Sequence, residues 1–400
     1  MKLLSLFTGI GAFEKALKNI GIKYELVGFS EIDKYAIKSY CAMHNEDERK
    51  NLGDITKIDA KLLSQICSTI GTSIDMITHG SPCQDFSVAG KQAGGDMGTG
   101  TRSSLMWNTI NIVTYIKPKY VIWENVKNLL SKKHKHNFDS YITIMESLGY
   151  NSYYQILNAK DFGVPQNRER IYTISIRKDV DKGDFKFPEK EPLYLKLKDI
   201  LENKVDENFY LSKNQMDNFL KNNNGNCNPS GKGMNGQVHS GDIAPTITTN
   251  KGEGLKINVN RIGGIFDTEK SKHQAGSVYD KNGLSPSIDT MQGGYRQPMI
   301  EVIGNYSPSN HEASRIVDSN GLAPTVKENH GTVTATNVDY KIRKLTPKEC
   351  WRLMGFSDND FENARLHCSN SQLYKQAGNS IVVPVLEKIF KNLLGDKNEK

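Results

Sequence analysis

The chain lacks paired cysteines. Its six, Cys41, Cys67, Cys83, Cys227, Cys350 and Cys368, include no CxxC pair, and no histidine cluster joins them. No metal site is expected from such spacing. Single scattered cysteines in a chain this long point to a reducing compartment. Long apolar runs are missing too. None approaches the roughly 18 residues that a membrane helix needs. Met1–Phe7 is too short for a signal peptide and leads straight into a glycine turn. The expected compartment is the cytoplasm, with no membrane contact. Neither sign of charge dominates: 52 basic against 45 acidic residues give +7. That excess permits a polyanionic partner without requiring one. The chain has 400 residues, 37% hydrophobic and 24% charged. It is too long for one small domain and suits two, with a soluble globular composition.

Residues 1 to about 180 alternate short apolar runs with helical patterns. Strands are expected at Leu3–Phe7, Glu25–Phe29, Asp75–Thr78, Tyr120–Trp123 and Ile171–Ile176, with a helix at Ala12–Asn19. Phe138, Tyr141, Ile142, Met145 and Leu148 share one helical face, and Gly149 is placed to end that helix. Strand–helix alternation of this kind implies an α/β fold, a doubly wound and mostly parallel sheet with helices on both faces. After about 180 the texture changes. Lys221–Gln237 is rich in Asn and Gly. Beyond it, the segments around Pro245, Pro286 and Pro324 resemble one another, at spacings of 41 and 38 residues. They read as short strands joined by turns, repeated about three times. In the tail, Val382, Val385, Leu386, Ile389, Phe390 and Leu393 form one apolar face, with Ser380 as the expected N-cap and Pro384 in the first turn. This helix is expected to pack back on a first domain interrupted by a β-rich insert.

Phe7-Thr8-Gly9-Ile10-Gly11 sits where a strand hands over to a helix, and about 20 residues on a second strand ends in Ser30-Glu31. An acid at that distance commonly binds ribose hydroxyls, although an ordinary tight turn is the alternative. The third glycine of a dinucleotide fingerprint is absent, because Glu14 stands there. That argues against a pyrophosphate and for a nucleoside without phosphates. Asp54 is either an acceptor for an adenine amino group or a helix cap. Cys83, in Gly80-Ser81-Pro82-Cys83-Gln84, follows an apolar strand and so stands at the carboxyl end of the sheet. Its neighbours Ser-Pro and Gln84-Asp85 argue against an inert core thiol. The Gly90–Ser104 segment, with five glycines, has the composition of a lid. Glu124 ends another strand, and Arg168 and Arg170 share one face before yet another.

Together these pieces resemble the C5-cytosine-specific DNA methyltransferases of bacterial and phage restriction-modification type. The resemblance runs in order through Phe7–Gly11, Glu31, Asp54, Pro82-Cys83-Gln84, Glu124-Asn125-Val126 and Gln166-Asn167-Arg168-Glu169-Arg170. It continues through Arg343–Cys350, Met354-Gly355-Phe356 and Gln376-Ala377-Gly378-Asn379-Ser380. It implies the S-adenosylmethionine-dependent methyltransferase fold with a smaller β-rich target-recognition domain inserted before the C-terminal helix. The domains expected are 1–184 completed by 368–400, a target-recognition domain at 185–342, and a connecting segment at 343–367. It implies Cys83 as nucleophile at C6, Glu124 as the acid facing N3, and Arg170 with Arg168 on the cytosine carbonyl or nearby phosphates.

S-adenosylmethionine would be held by Phe7, Gly9, Ile10, Gly11, Glu31, Ile32, Asp54, Ile55, Pro82, Leu105, Asn379 and Ser380. Ser87, Gln84, Gln292 and Arg296 would contact DNA, with Thr248, Thr249 and Asn329 as further candidate readers. Double-stranded DNA is the expected partner, a cognate restriction endonuclease a candidate one, and the chain is expected to act as a monomer. Three rivals are an RNA cytosine methyltransferase on the same fold, a catalytically silent DNA-binding protein and a nicotinamide oxidoreductase. The long insert argues against the first, the intact Cys83, Glu124, Arg168 and Arg170 against the second, and the missing glycine against the third.

Overall fold

The computed structural model describes residues 1–82, 85–86, 94–207 and 346–395, and, within 208–345, the backbone of seven short strands. Leu197 and Lys198 are described by backbone alone. Six strands form the central sheet: β1 Lys2–Leu6, β2 Glu25–Ser30, β3 Met76–His79, β4 Tyr120–Val126, β5 Tyr150–Asn158 and β6 Glu169–Arg177. Their spatial order is β2-β1-β3-β4-β6-β5. Only β6 runs against the others, since β4 and β5 each pair with it antiparallel while β1, β2, β3 and β4 pair parallel.

Alternation along the strands explains why both faces are covered. Leu3 of β1 joins one apolar cluster and Leu4 and Leu6 the other. Met76 and Ile77 of β3 divide in the same way, as do Ile122 and Trp123 of β4. The first cluster packs under α1 Ala12–Asn19 and α2 Lys34–His44. The second packs under α3 Ala60–Thr69, α4 Met106–Ile116 and α5 Lys135–Ser147.

The first face is finished by the far end of the chain. Helices Pro347–Leu353, Asp358–Arg365, Asn370–Asn379 and Val383–Leu394 bring Trp351, Phe361, Leu373, Leu386 and Phe390 into the cluster of Leu3 and Phe13. Residues expected only to connect therefore help to build the core. The last helix begins two residues later than the Ser380 cap implied. Val382 is its N-cap and Pro384 lies in its first turn, while Ser380 closes the preceding helix. A proline is tolerated only where its missing N–H has no helical partner, which sets this start.

Strand β5 has no clear alternation to announce it. Its only sheet neighbour is β6, and its residues Asn151, Tyr154 and Gln155 are exposed. Within the insert, Arg261–Gly264 pairs antiparallel with Ser277–Tyr279, which pairs parallel with Met299–Ile300. Val302–Asn305, Arg315–Val317 and Ala335–Val338 pair in the same antiparallel-then-parallel sequence. Lys341–Lys344 adds an antiparallel edge. No helix among the described residues is long and apolar enough to cross a membrane.

Gly355 joins the returning helices with φ at +82°, and a Cβ there would stand 2.2 Å from Pro384 Cδ. Gly355→Ala should combine left-handed strain with overpacking and lower stability by about 2 kcal/mol or more. Urea unfolding checks this; an unchanged midpoint would refute it.

Candidate active site

The carboxyl ends of β1 to β4 and the start of β6 open into one cavity of about 530 Å³. That volume suits a ligand of nucleoside size or larger. β1 contributes Phe7, Gly9 and Ile10, and β2 contributes Ser30, Glu31, Ile32 and Asp33. Asp54 and Ile55 come from the next loop, Gly80, Ser81 and Pro82 from the end of β3, and Glu124 from β4. Arg168 and Arg170 come from the approach to β6 and its first turn of strand, and Leu105 from the segment before α4. Gln376, Gly378 and Asn379 close the ring from the C-terminal segment.

The β1–α1 loop is held from two sides. Phe7, Gly9 and Gly11 all have positive φ. Gly9 N–H donates to Glu31 Oε2 at 2.8 Å, and Glu31 Oε1 accepts from the N–H groups of Ile32 and Asp33. The carboxylate expected to meet a ribose thus also fixes the loop beside it. Behind the loop, His44 Nε2 lies 3.1 Å from the Ile10 carbonyl oxygen. Burial pushes the His44 pKa down to about 4, so the neutral ring can donate there. A Cβ on Gly11 would stand 2.3 Å from that nitrogen. Gly11 therefore shapes the turn without lining the cavity. Glu14, in the place of a third glycine, is fully buried, accepts from Tyr40 Oη at 3.0 Å, and has its pKa raised by burial.

Asp54 is a helix cap that also stands in the cavity wall. Its Oδ1 caps the short helix Ile55–Lys57 by accepting from Thr56 N–H, and the residue still lines the cavity. Asp33 caps α2 and also meets Lys375 Nζ at 2.8 Å across the cavity mouth. No local pattern announces that ion pair, because its partners lie 342 residues apart.

Glu124 and Arg170 are both buried, with Arg170 Nε 3.2 Å from Glu124 Oε1. Among the described residues Arg170 Nη2 makes no hydrogen bond. Burial raises the Glu124 pKa, against the opposing pull of Arg170 and then Arg168. Arg168 lines the cavity and also reaches the C-terminal segment. Its Nη2 donates to the carbonyl oxygens of Ser380 at 2.8 Å and Gly378 at 3.3 Å. Ser380 consequently meets Arg168 rather than the cavity.

Cys83, Gln84 and Ser87 lie outside the described residues, as do Gln292, Arg296, Thr248, Thr249 and Asn329. The chain leading to Cys83 is braced. Trp123 Nε1 donates to Ser81 Oγ at 3.0 Å, and Asn125 Nδ2 donates to the Ser81 carbonyl at 3.2 Å. The His79 ring stacks on Trp123 at 5.5 Å and is held neutral by burial, its pKa pushed down to about 3. A Cβ on Gly80 would lie 3.4 Å from Ile381 and 3.9 Å from Glu124 Oε2. The end of β3, Glu124 and the C-terminal segment thus converge at Gly80, three residues before Cys83.

Of the expected lid, the part from Gly94 onward is tied down. Gly94 N–H donates to the Asp85 carbonyl, Ser103 N–H to Asp85 Oδ2, and Trp107 Nε1 to the Gly95 carbonyl. Glycine content alone signals freedom; these acceptors remove it. Among the described residues no group of His, Cys, Asp and Glu could hold a metal ion.

Residues 1–395 match the family model described as C-5 cytosine-specific DNA methylase. The chain belongs to this family. It is 40% identical to the orphan methyltransferase M.SPRI of Bacillus phage SPR, over 98% of this chain and 97% of that one. It is 29% identical to the type II methyltransferase M.HhaI of Haemophilus parahaemolyticus, over 100% and 96%. Among solved structures it resembles the S. pombe Dnmt2 methyltransferase with a TM-score of 0.61 at 17% identity, covering 100% of this chain and 99% of that one. That last likeness concerns the fold. Family membership makes the protein a C5-cytosine DNA methyltransferase and implies S-adenosylmethionine as its methyl donor.

Gly11→Ala should force His44 or the loop to move and weaken cofactor binding about tenfold or more, roughly 1.4 kcal/mol. Titration with S-adenosylhomocysteine checks this. Unchanged affinity would show that the contact behind the loop is dispensable.

Proposed function

We propose that Cys83, Glu124 and Arg170 carry out the methylation of C5 in a cytosine flipped out of duplex DNA. The observation that carries this is the buried Glu124–Arg170 pair beside the braced strand end at Ser81-Pro82, with a buried guanidinium nitrogen that has no hydrogen-bond partner among the described residues. A duplex hides C5 and C6 between stacked bases, so the target must leave the stack, at a cost of a few kcal/mol.

The lining fits S-adenosylmethionine. Glu31 and Asp54 offer acceptors for ribose and adenine, Phe7, Ile32, Ile55 and Leu105 offer apolar faces, and the buried acid Glu14 disfavours a phosphate at the β1–α1 turn. Gly9, Ile10, Pro82 and Asn379 complete the expected holder. When bound, the cofactor supplies an electrophilic methyl group that unactivated C5 is too weak a nucleophile to accept. The protein's part is to activate the base. The Cys83 thiolate adds to C6, the C5–C6 π pair moves toward C5, and Glu124 gives its proton to N3. Arg170 faces the cytosine carbonyl and keeps Glu124 in place. Once C5 carries the methyl group, loss of the C5 proton, departure of the Cys83 sulfur and return of the N3 proton to Glu124 restore the ring and the acid. Arg168 we assign to holding Gly378–Ser380 rather than to the base.

Residues 185–342 are the proposed target-recognition domain, with loops reading the major groove, where all four base pairs differ. Gln84, Ser87, Gln292 and Arg296 are its proposed partners in DNA contact. The phage relative is named an orphan methyltransferase. We therefore place a stand-alone monomer ahead of an enzyme paired with a restriction endonuclease. The RNA-directed alternative loses support, because the family description names DNA.

Purified protein should transfer labelled methyl groups to duplex DNA, and Cys83→Ser should abolish transfer. Glu124 acts protonated and its pKa is raised, so kcat should decline on the alkaline side as Glu124 ionises. Glu124→Gln should lose about a hundredfold or more in kcat and the alkaline limb with it. A limb that persists in that variant would assign the proton to another group.

A further inference from the structure

One exposed feature beside the site has no role in this chemistry. Lys132, Lys133, Lys135 and His136 are exposed, in a stretch with no acidic residue between Glu124 and Asp139. Lys135 is taken by Asp139 and His136 by Asp96, at 2.7 Å and 2.6 Å. Lys132 and Lys133 make no ion pair or hydrogen bond with any described residue. We propose that Lys132 and Lys133 form a contact for the phosphates of the duplex strand beside the flipped nucleotide.

Position supports this. The run follows β4, which carries Glu124, after a single short helix at Lys127–Leu130. It is bonded to both flanks of the segment that follows Cys83. Asn128 Nδ2 donates to the Phe86 carbonyl, the His134 ring meets the Phe86 ring edge-on at 5.4 Å, and His136 holds Asp96. The run therefore lies on the same edge of the sheet as the cavity. Its backbone is set as well: the N–H groups of His134 and Lys135 both donate to the Ser131 carbonyl. Burial and Lys133 push His134 below the usual imidazole range, so it serves as a packed neutral ring under two charged neighbours.

Physics supplies the partner. A base that enters the cavity brings its own phosphates to the rim, one on each side of its sugar. Ammonium groups bind phosphates as point charges and need no fixed fork geometry. Each phosphate neutralised releases condensed counterions and adds about 0.9 to the slope of log affinity against log salt. The chain's total charge of +7 is too diffuse to do this, so a local pair at the rim carries more weight than the sum.

This rests on the reading of the cavity as the seat of a flipped cytosine. The test measures binding of full-length protein to a labelled mixed-sequence duplex over a range of salt. Lys132→Ala/Lys133→Ala is compared with Lys18→Ala/Lys23→Ala, two exposed lysines at the opposite, amino edge of the sheet. The rim pair should flatten the salt slope by about 1 to 2 and weaken binding about tenfold near physiological salt. Lys132→Arg/Lys133→Arg should restore it, and S-adenosylhomocysteine affinity should not move. The opposite-edge pair should match wild type. An unchanged slope in the rim variant, with wild-type protein methylating DNA normally, overturns this proposal alone. So does an equal loss in the opposite-edge variant. Wild-type protein that neither binds nor methylates duplex DNA overturns both this proposal and the function on which it rests.

Discussion

The two carbonyl oxygens of Gly378 and Ser380 are held by one guanidinium, that of Arg168, across 210 and 212 residues of sequence. Much of the molecule hangs on that contact. Between the last strand of the central sheet, which ends at Arg177, and the returning helices, which start at Pro347, lies a long stretch of chain. The returning helices must find their face of the sheet without the help of short loops. Apolar burial supplies the driving force, through Trp351, Leu386, Ile389 and Phe390, all fully buried. Burial of this kind is not directional, however. The charged hydrogen bonds to carbonyls fix where the segment stops, and so place Asn379 in the cavity wall and Ile381 against Gly80. A buried guanidinium without such partners would cost several kcal/mol. The closure of the discontinuous domain and the satisfaction of Arg168 are therefore one event.

The cavity that results has acids where a phosphate-binding fold would have glycine and basic groups. Glu31 is held by three backbone N–H groups that a dinucleotide enzyme would present elsewhere. Glu14 fills the first turn of α1 from within. The N-terminus of that helix would otherwise attract an anion. With a buried carboxyl under it, and His44 neutral behind the loop, the turn offers no cradle for pyrophosphate.

These features were legible in sequence to very different degrees. The strand ends were, because glycine at a positive φ and an acid about 20 residues on are local patterns with physical causes. Two-sided burial of β1, β3 and β4 was legible as continuous apolar runs. The edge strand β5 was not, since a strand with one neighbour can carry exposed polar residues and loses its pattern. Arg168 was found as a site residue, but its partners were not. Which acceptor a buried arginine takes depends on a segment that returns after an insert. The same holds for the Asp33–Lys375 pair. Glycine spacing after Cys83 suggested freedom throughout, while Asp85, Thr101 and Ser103 anchor the chain from Gly94 onward. Composition reports the backbone's permissiveness and says nothing of the acceptors that use it up.

The Glu124–Arg170 pair explains why such a site is built in the core rather than at the rim. Burying a carboxyl raises its pKa, and the adjacent guanidinium lowers it; the first effect is the larger here. Arg170 alone would make Glu124 a stable carboxylate, useless as a proton donor. Burial alone would leave a neutral acid with nothing to orient it. Held 3.2 Å apart and both nearly inaccessible, the two leave Glu124 close to giving up a proton while Arg170 stands ready to hold the anion that remains. Replacing a buried ion pair with well-packed apolar residues is often neutral or stabilising, because its desolvation offsets the attraction. That the chain keeps the pair in the wall of a cavity, beside the braced strand end at Ser81, fits a cost borne for chemistry. The brace of Trp123 and Asn125 on Ser81 suits the proposed nucleophile: a thiolate that is to reach one ring carbon needs the strand before it to stay where β4 puts it.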